Sequence, residues 1–263
     1  MMHIQPLSAF DDNYIWLLRP QGDGPVTVVD PGDEVPVLEA LERDRLSLGT
    51  ILITHHHGDH VGGVADLVAA CPGVEVVGPR DRRIQHLTRA VGEGDLVGIP
   101  GLETPLRVLE VPGHTASHIA YLGANLGAGA LFCGDTLFAG GCGRVFDGTF
   151  AQLSDSLRRI ASLPPETLVY CAHEYTLANL GFAKWVEPGS SALAAREGEA
   201  QRRRAAGVPT VPSTLALELA TNPFLRTGEP GVIAAAERAC GKPLAGHAEV
   251  FTALRRWKDE RYD

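Results

Sequence analysis

The chain has 263 residues, 44% of them hydrophobic and 21% charged, a balance that excludes the disordered, collagen-like and coiled-coil classes. A formal charge of −9, from 32 acidic against 23 basic side chains, argues against a nucleic-acid partner. No apolar run approaches the roughly 20 residues that span a bilayer, so no membrane partner is expected. Five widely spaced cysteines, an odd number, point to reduced thiols, and the opening Met1-Met2-His3-Ile4-Gln5-Pro6 has neither a basic nor an apolar leader region, so a cytoplasmic location is expected.

Up to about residue 173 one phrase recurs: a short apolar or β-branched run that ends in Gly, Pro, Asp or His. The spacing predicts strands over 26–29, 51–53, 74–77, 108–111, 118–122, 131–133 and 168–171, with helices near 34–46, 62–70 and 150–162. From 174 the texture turns to Ala-, Leu-, Glu- and Arg-rich segments, giving helices over 174–186, 190–206, 213–220 with Ser213 as N-cap, 229–240 and 247–261. The fold class is therefore α+β, a mixed-sheet domain over 1–173 followed by a smaller all-helical domain over 174–263. Arg202-Arg203-Arg204 reads as a solvated helix face.

The densest signal is Thr54-His55-His56-His57-Gly58-Asp59-His60, directly after an apolar strand and before a Gly-Gly helix start. Alternate positions aim His55 and His57 at one point, and the turn at Gly58 swings Asp59 and His60 towards a second, while His56 points away. Three further donors stand at other strand ends: His114, Asp135 and His173. Together they give a two-ion site, with His55, His57 and His114 on one ion, Asp59, His60 and His173 on the other, and Asp135 bridging. Mixed imidazole and carboxylate donors favour Zn²⁺, with Fe or Mn as alternatives. His118 and His3, by contrast, read as structural strand-end histidines. Asp30 and Thr54 are candidates to orient the ligands.

The loop has the form H-x-H-x-D-H and resembles the metallo-β-lactamase superfamily. Asp12-Asn13-Tyr14, Pro112-Gly113-His114-Thr115, Gly134-Asp135-Thr136-Leu137-Phe138, Gly141-Cys142-Gly143-Arg144 and Cys171-Ala172-His173-Glu174-Tyr175 narrow the resemblance to its hydroxyacylglutathione hydrolase (glyoxalase II) family. Asn222-Pro223-Phe224-Leu225-Arg226 and Arg255-Arg256-Trp257-Lys258-Asp259 extend it through the tail. The resemblance implies an αββα sandwich over 1–173, a helical substrate-binding domain over 174–263 and the same seven metal ligands. It implies that Arg255 and Lys258 bind the glycine carboxylate of glutathione, with Arg144 and Tyr175 along the peptide. It also implies a monomer whose partner is a small glutathione thioester. Many relatives carry a tyrosine where this chain has Phe146, which removes one hydroxyl from that contact.

From spacing alone, Val250, Leu254 and Trp257 face the core and put Arg255 and Lys258 on a neighbouring stripe, where two cations can receive a carboxylate; equally, Arg255 can pair with Asp259 at i+4 and leave Lys258 solvated. The implied reaction is hydrolysis of S-(2-hydroxyacyl)glutathione by a hydroxide generated at the metal pair, with Asp59 orienting it and taking its proton. The thiolate leaving group, from a thiol of pKa about 8.5, needs no general acid. Two rivals share these residues. One is another enzyme of the same fold, such as an iron persulfide dioxygenase; the other is a metal-bound interaction protein without turnover.

Overall fold

Two N-terminal strands that the sequence pattern did not single out, β1 (Met2–Ala9) and β2 (Asn13–Pro20), pair antiparallel along their whole length in the computed structural model, which describes residues 2–262. The chain forms two compact units. The first runs up to Glu110 and adds Ser117–Gly134; the second comprises Val111–Ala116 and the chain from Asp135 onward.

In the first unit β3 (Val26–Val29), β4 (Leu48–Leu52), β5 (Glu75–Pro79) and β6 (Arg89–Val91) extend the sheet in chain order. The joins from β3 to β6 are parallel, so the carboxyl ends of β3 and β4 lie side by side. Helices α1 (Val35–Asp44) and α3 (Val64–Ala70), with the short α2 (Gly58–Val61) before it, make the crossovers. Val37, Leu41, Val64 and Leu67 on these helices pack with Leu17, Val28, Ile51 and Val76 of the sheet into one core cluster. A second set of strands, β7 (Leu96–Val97), β8 (Leu106–Glu110), β9 (Ile119–Gly123) and β10 (Ala130–Gly134), is antiparallel. The Tyr121 hydroxyl on β9 donates to the carbonyls of Ile53 (2.9 Å) and Val77 (3.1 Å), tying it to the first sheet. Burial pushes that phenol well above its ordinary pKa and keeps it a donor.

The second unit begins with the hairpin β11 (Leu137–Phe138) and β12 (Gly141–Cys142). Helix α4 (Phe150–Ala161) starts at Thr149, whose hydroxyl accepts from the Gln152 amide. The pair β13 (Leu168–Cys171) and β14 (Ser213–Thr214) is antiparallel. Around them stand α5 (Thr176–Val186), α6 (Ser191–Ala205), α7 (Leu215–Thr221), α8 (Pro230–Cys240) and α9 (Gly246–Arg261), close to the five helices the pattern predicts. One expectation needs correction: α7 is capped by Thr214, whose hydroxyl accepts from Leu217, because the Ser213 hydroxyl already donates to Glu218. Arg202 and Arg203 close α6 on Glu199 and on the Pro209 carbonyl, as a solvated helix end does. All five cysteines are free, and no helix among the described residues is long and apolar enough to cross a membrane.

Candidate functional site

In the first unit the neighbouring ends of β3 and β4 bring Asp30 beneath the histidine loop. Asp30 is buried in the left-handed region (φ 53°), where a short polar side chain is tolerated. Its carboxylate accepts from the Thr54 amide and hydroxyl, both at 2.7 Å, and lies 3.1 Å from His60 Nδ1. The Thr54 hydroxyl has one proton and gives it to Asp30, so towards His55 Nδ1 (3.1 Å) it accepts. His55 Nδ1 therefore carries its proton, and Nε2 turns a lone pair towards His57 Nδ1, 3.0 Å away. Asp59 lies at the start of α2, 3.5 Å from His60 Nε2, and accepts from Asn13 Nδ2 at 3.1 Å. His56 does point away, its Nδ1 3.6 Å from Asp81, whose carboxyl Arg83's hydrogen bonds hold well below the usual carboxylate range. His118 is buried and stacks on His55 with centroids 4.6 Å apart. Gly32 has no alternative here: a Cβ on it would sit 1.9 Å from the Asp59 carbonyl oxygen.

In the second unit Asp135 lies between two histidines. His114 Nε2 is 3.5 Å from its Oδ2, and His173 Nε2 is 3.3 Å from its Oδ1. His114 Nδ1 is 2.8 Å from the Arg144 carbonyl, which can only accept, so Nε2 is the lone-pair nitrogen. Gly143 makes this approach feasible, since a Cβ there would meet the Asp135 carbonyl oxygen at 2.0 Å.

These donors fit a divalent ion. Two ligands at about 2.1 Å on tetrahedral zinc stand ~3.4 Å apart, and the donor pairs within each unit are separated by 3.0, 3.5, 3.5 and 3.3 Å. An oriented imidazole with its second nitrogen held by a hydroxyl or carbonyl is the usual arrangement of a metal histidine.

The expected glutathione cations are all in the second unit. Arg255 is only 1% exposed; its Nη1 donates to the Cys142 carbonyl at 2.9 Å, its Nη2 lies 2.9 Å from Asp259, and its guanidinium stands over Phe224. It thus makes the i+4 pair that spacing left open. Lys258 is not solvated: it is buried and donates to Asn179 Oδ1 at 3.0 Å. Arg144 is exposed, its Nε 3.6 Å from the same Asp259 oxygen. Tyr175 is partly exposed and stacks on His173 at 4.7 Å, while Phe146 is exposed with its ring edge on His114. Sequence reasoning gave no role to Asn179 and Glu218, buried polar residues whose only signal is their residue type inside helices, nor to buried Asn222, which it quoted only within a family phrase.

Residues 9–173 match the family description "Metallo-beta-lactamase superfamily", and residues 174–261 match "Hydroxyacylglutathione hydrolase C-terminus". A relative named hydroxyacylglutathione hydrolase from Cupriavidus metallidurans is 51% identical over 98% of this chain and 99% of its own. Another of that name from Xanthomonas euvesicatoria is 53% identical over the same shares. Among solved structures, TTHA1623 in a di-iron-bound form superposes with a TM-score of 0.59 at 28% identity, covering 85% of this chain and 100% of that one. Over both of its segments, therefore, the chain belongs to the hydroxyacylglutathione hydrolase family of the metallo-β-lactamase superfamily.

Proposed function

We propose that this chain hydrolyses S-(2-hydroxyacyl)glutathione, typically S-D-lactoylglutathione, to glutathione and a 2-hydroxy acid such as D-lactate, the second step of methylglyoxal detoxification. The observation that carries the reading is the family's own C-terminal segment over 174–261 following a complete set of His and Asp donors. In this reading His55, His57 and His114 hold one divalent ion, Asp59, His60 and His173 the other, and Asp135 both. Zinc suits the donor set best, and iron, as in the di-iron-bound form of TTHA1623, is the main alternative. When bound, such a pair supplies an acidified water and positive charge for a carbonyl oxygen.

The chain's own residues do the rest. Asp59, the more exposed partner of its contact with His60, is fixed by Asn13 and orients the attacking water and takes its proton. Arg144 and Tyr175 lie along the peptide, and Arg255 and Lys258 supply the charge that receives the glycine carboxylate. The thiolate departs unaided, its conjugate thiol having a pKa of about 8.5. A cytoplasmic monomer with one small-molecule partner completes the reading.

The test is to count bound metal by mass spectrometry and to follow loss of thioester absorbance before and after chelation. Two ions and chelator-sensitive hydrolysis are expected. One iron, no thioester loss, and oxygen uptake with glutathione persulfide would overturn the proposal in favour of the dioxygenase. Metal-loaded protein that binds glutathione conjugates without turnover would favour the interaction protein.

A further inference from the structure

The hairpin β11–β12 is held by side chains along its main chain. The carbonyls of Phe138 and Gly141 accept from Asn222 Nδ2 at 3.2 and 2.9 Å, and that of Ala139 from Asn179 Nδ2 at 3.2 Å. The Gly140 amide donates to Glu218 Oε2 at 2.8 Å, and the Cys142 carbonyl accepts from Arg255 at 2.9 Å. Five consecutive residues, 138–142, thus each have a main-chain group bonded to a side chain from α5, from α7 and its C-cap, or from α9. These side chains are at most 1% exposed. Glu218 is satisfied further by Arg196, Ser213 at 2.6 Å and Asn222 at 3.1 Å.

A two-residue ladder does not require this much buried polarity. Each such group costs free energy to remove from water, and a buried hydrogen-bonded network of this kind fixes one conformation rather than adds stability. What they fix is covalently close to metal donors. Asp135 stands two residues before β11, and Arg144, two residues after β12, offers the carbonyl that holds His114 Nδ1. A shift of the hairpin moves both donors.

We propose that Asn179, Glu218 and Asn222 are positioning residues: they clamp the β11–β12 hairpin and thereby set Asp135 and His114 for metal. Asn179 also accepts from Lys258, so the clamp shares one side chain with a proposed glutathione cation. The inference rests on the reading of Asp135 and His114 as ligands.

The test uses Asn179→Asp and Asn222→Ala in the full chain, with zinc affinity measured by competition against a chromophoric chelator and melting temperature alongside. Asn179→Asp keeps an oxygen for Lys258 and turns the donor to the Ala139 carbonyl into an acceptor. Zinc affinity at least about 10-fold weaker in folded protein is expected, the range seen when the partners of ligands are removed. A lower kcat should accompany it, and in Asn222→Ala, which leaves Lys258 untouched, inhibition by free glutathione should stay unchanged within twofold. Zinc affinity unchanged in both folded variants would overturn the clamp, as would an effect of Asn222→Ala confined to KM. Should Asn222→Ala not fold, Asn179→Asp decides alone. The zinc measurement needs no turnover, so a wild type that binds zinc as expected without hydrolysing the thioester overturns the proposed function and leaves the clamp standing.

Discussion

Asp30 uses its carboxylate on the Thr54 amide, the Thr54 hydroxyl and His60, so one buried acid sets the orientation of His55 through Thr54 and of His60 directly. Asp30→Asn keeps the volume and replaces one accepting oxygen by a donor. We expect zinc affinity to fall by about 10- to 100-fold, read by chelator competition, and an unchanged affinity would remove Asp30 from this role. Phe146 offers the opposite experiment. Its ring is exposed beside His114 and carries no hydroxyl. If that position contacts glutathione, Phe146→Tyr adds one hydrogen bond of about 0.5 to 1.5 kcal/mol, lowering KM by roughly 2- to 10-fold at constant kcat. Steady-state kinetics on the thioester decide, and a KM that does not fall places the ring outside the contact.

At the scale of elements, Gly143 links β12 to the Arg144 carbonyl that holds His114. Gly143→Ala would drive a Cβ to 2.0 Å from the Asp135 backbone, so hydrolysis should drop on the order of 100-fold. Circular dichroism should remain that of the wild type, which separates local displacement from unfolding. The elements legible in the sequence were those with a single clear signal. β3 and β13 coincide with the predicted runs because each is a short β-branched or apolar stretch closed by a turn residue. β1 and β2 gave no such signal: β1 is half-exposed with Pro6 inside it, and β2 is buried at nearly every position, so neither alternates. The histidine loop was legible because metal donors at such density have few other uses. Asn179 was not, since an asparagine in a helical stretch reads as solvated until the fold shows what it faces, and Asn222, though part of a family phrase, gave no sign of the carbonyls it bonds. The same blindness moved the α7 cap by one residue, because adjacent Ser213 and Thr214 are equivalent caps until Glu218 engages one of them.

For the molecule as a whole, burial divides the thiols. It pushes Cys171 up to about 12 and Cys142 to about 11, the latter against the pull of nearby Arg255, and it raises partly buried Cys71. At pH 8 a thiol reagent should modify exposed Cys240 quickly and Cys71 slowly, and reach Cys133, Cys142 and Cys171 only after denaturation. A third thiol reacting in native protein would contradict this. Bound metal should also stabilise the fold by mass action. At a thousandfold excess over its dissociation constant it contributes about 4 kcal/mol, which in a chain of this length is roughly 8 to 16 °C of melting temperature lost on chelation. Scanning calorimetry with and without chelator measures it, and coincident transitions would mean that the donors hold no ion. The contact between Gly32 and the Asp59 backbone is part of a longer seam: added Cβ atoms at Gly62 and Gly63 would meet the Gly32 carbonyl oxygen at 2.5 Å and the Glu34 nitrogen at 2.4 Å. The segments 31–34 and 58–63 therefore run main chain against main chain. Such a seam has no slack for an inserted residue, whereas the exposed β1–β2 turn at Phe10 and Asp11 does. Length variation in descendants of this sequence should collect at that turn and be absent from the glycine seam, so that the metal loop diversifies by substitution and never by growth.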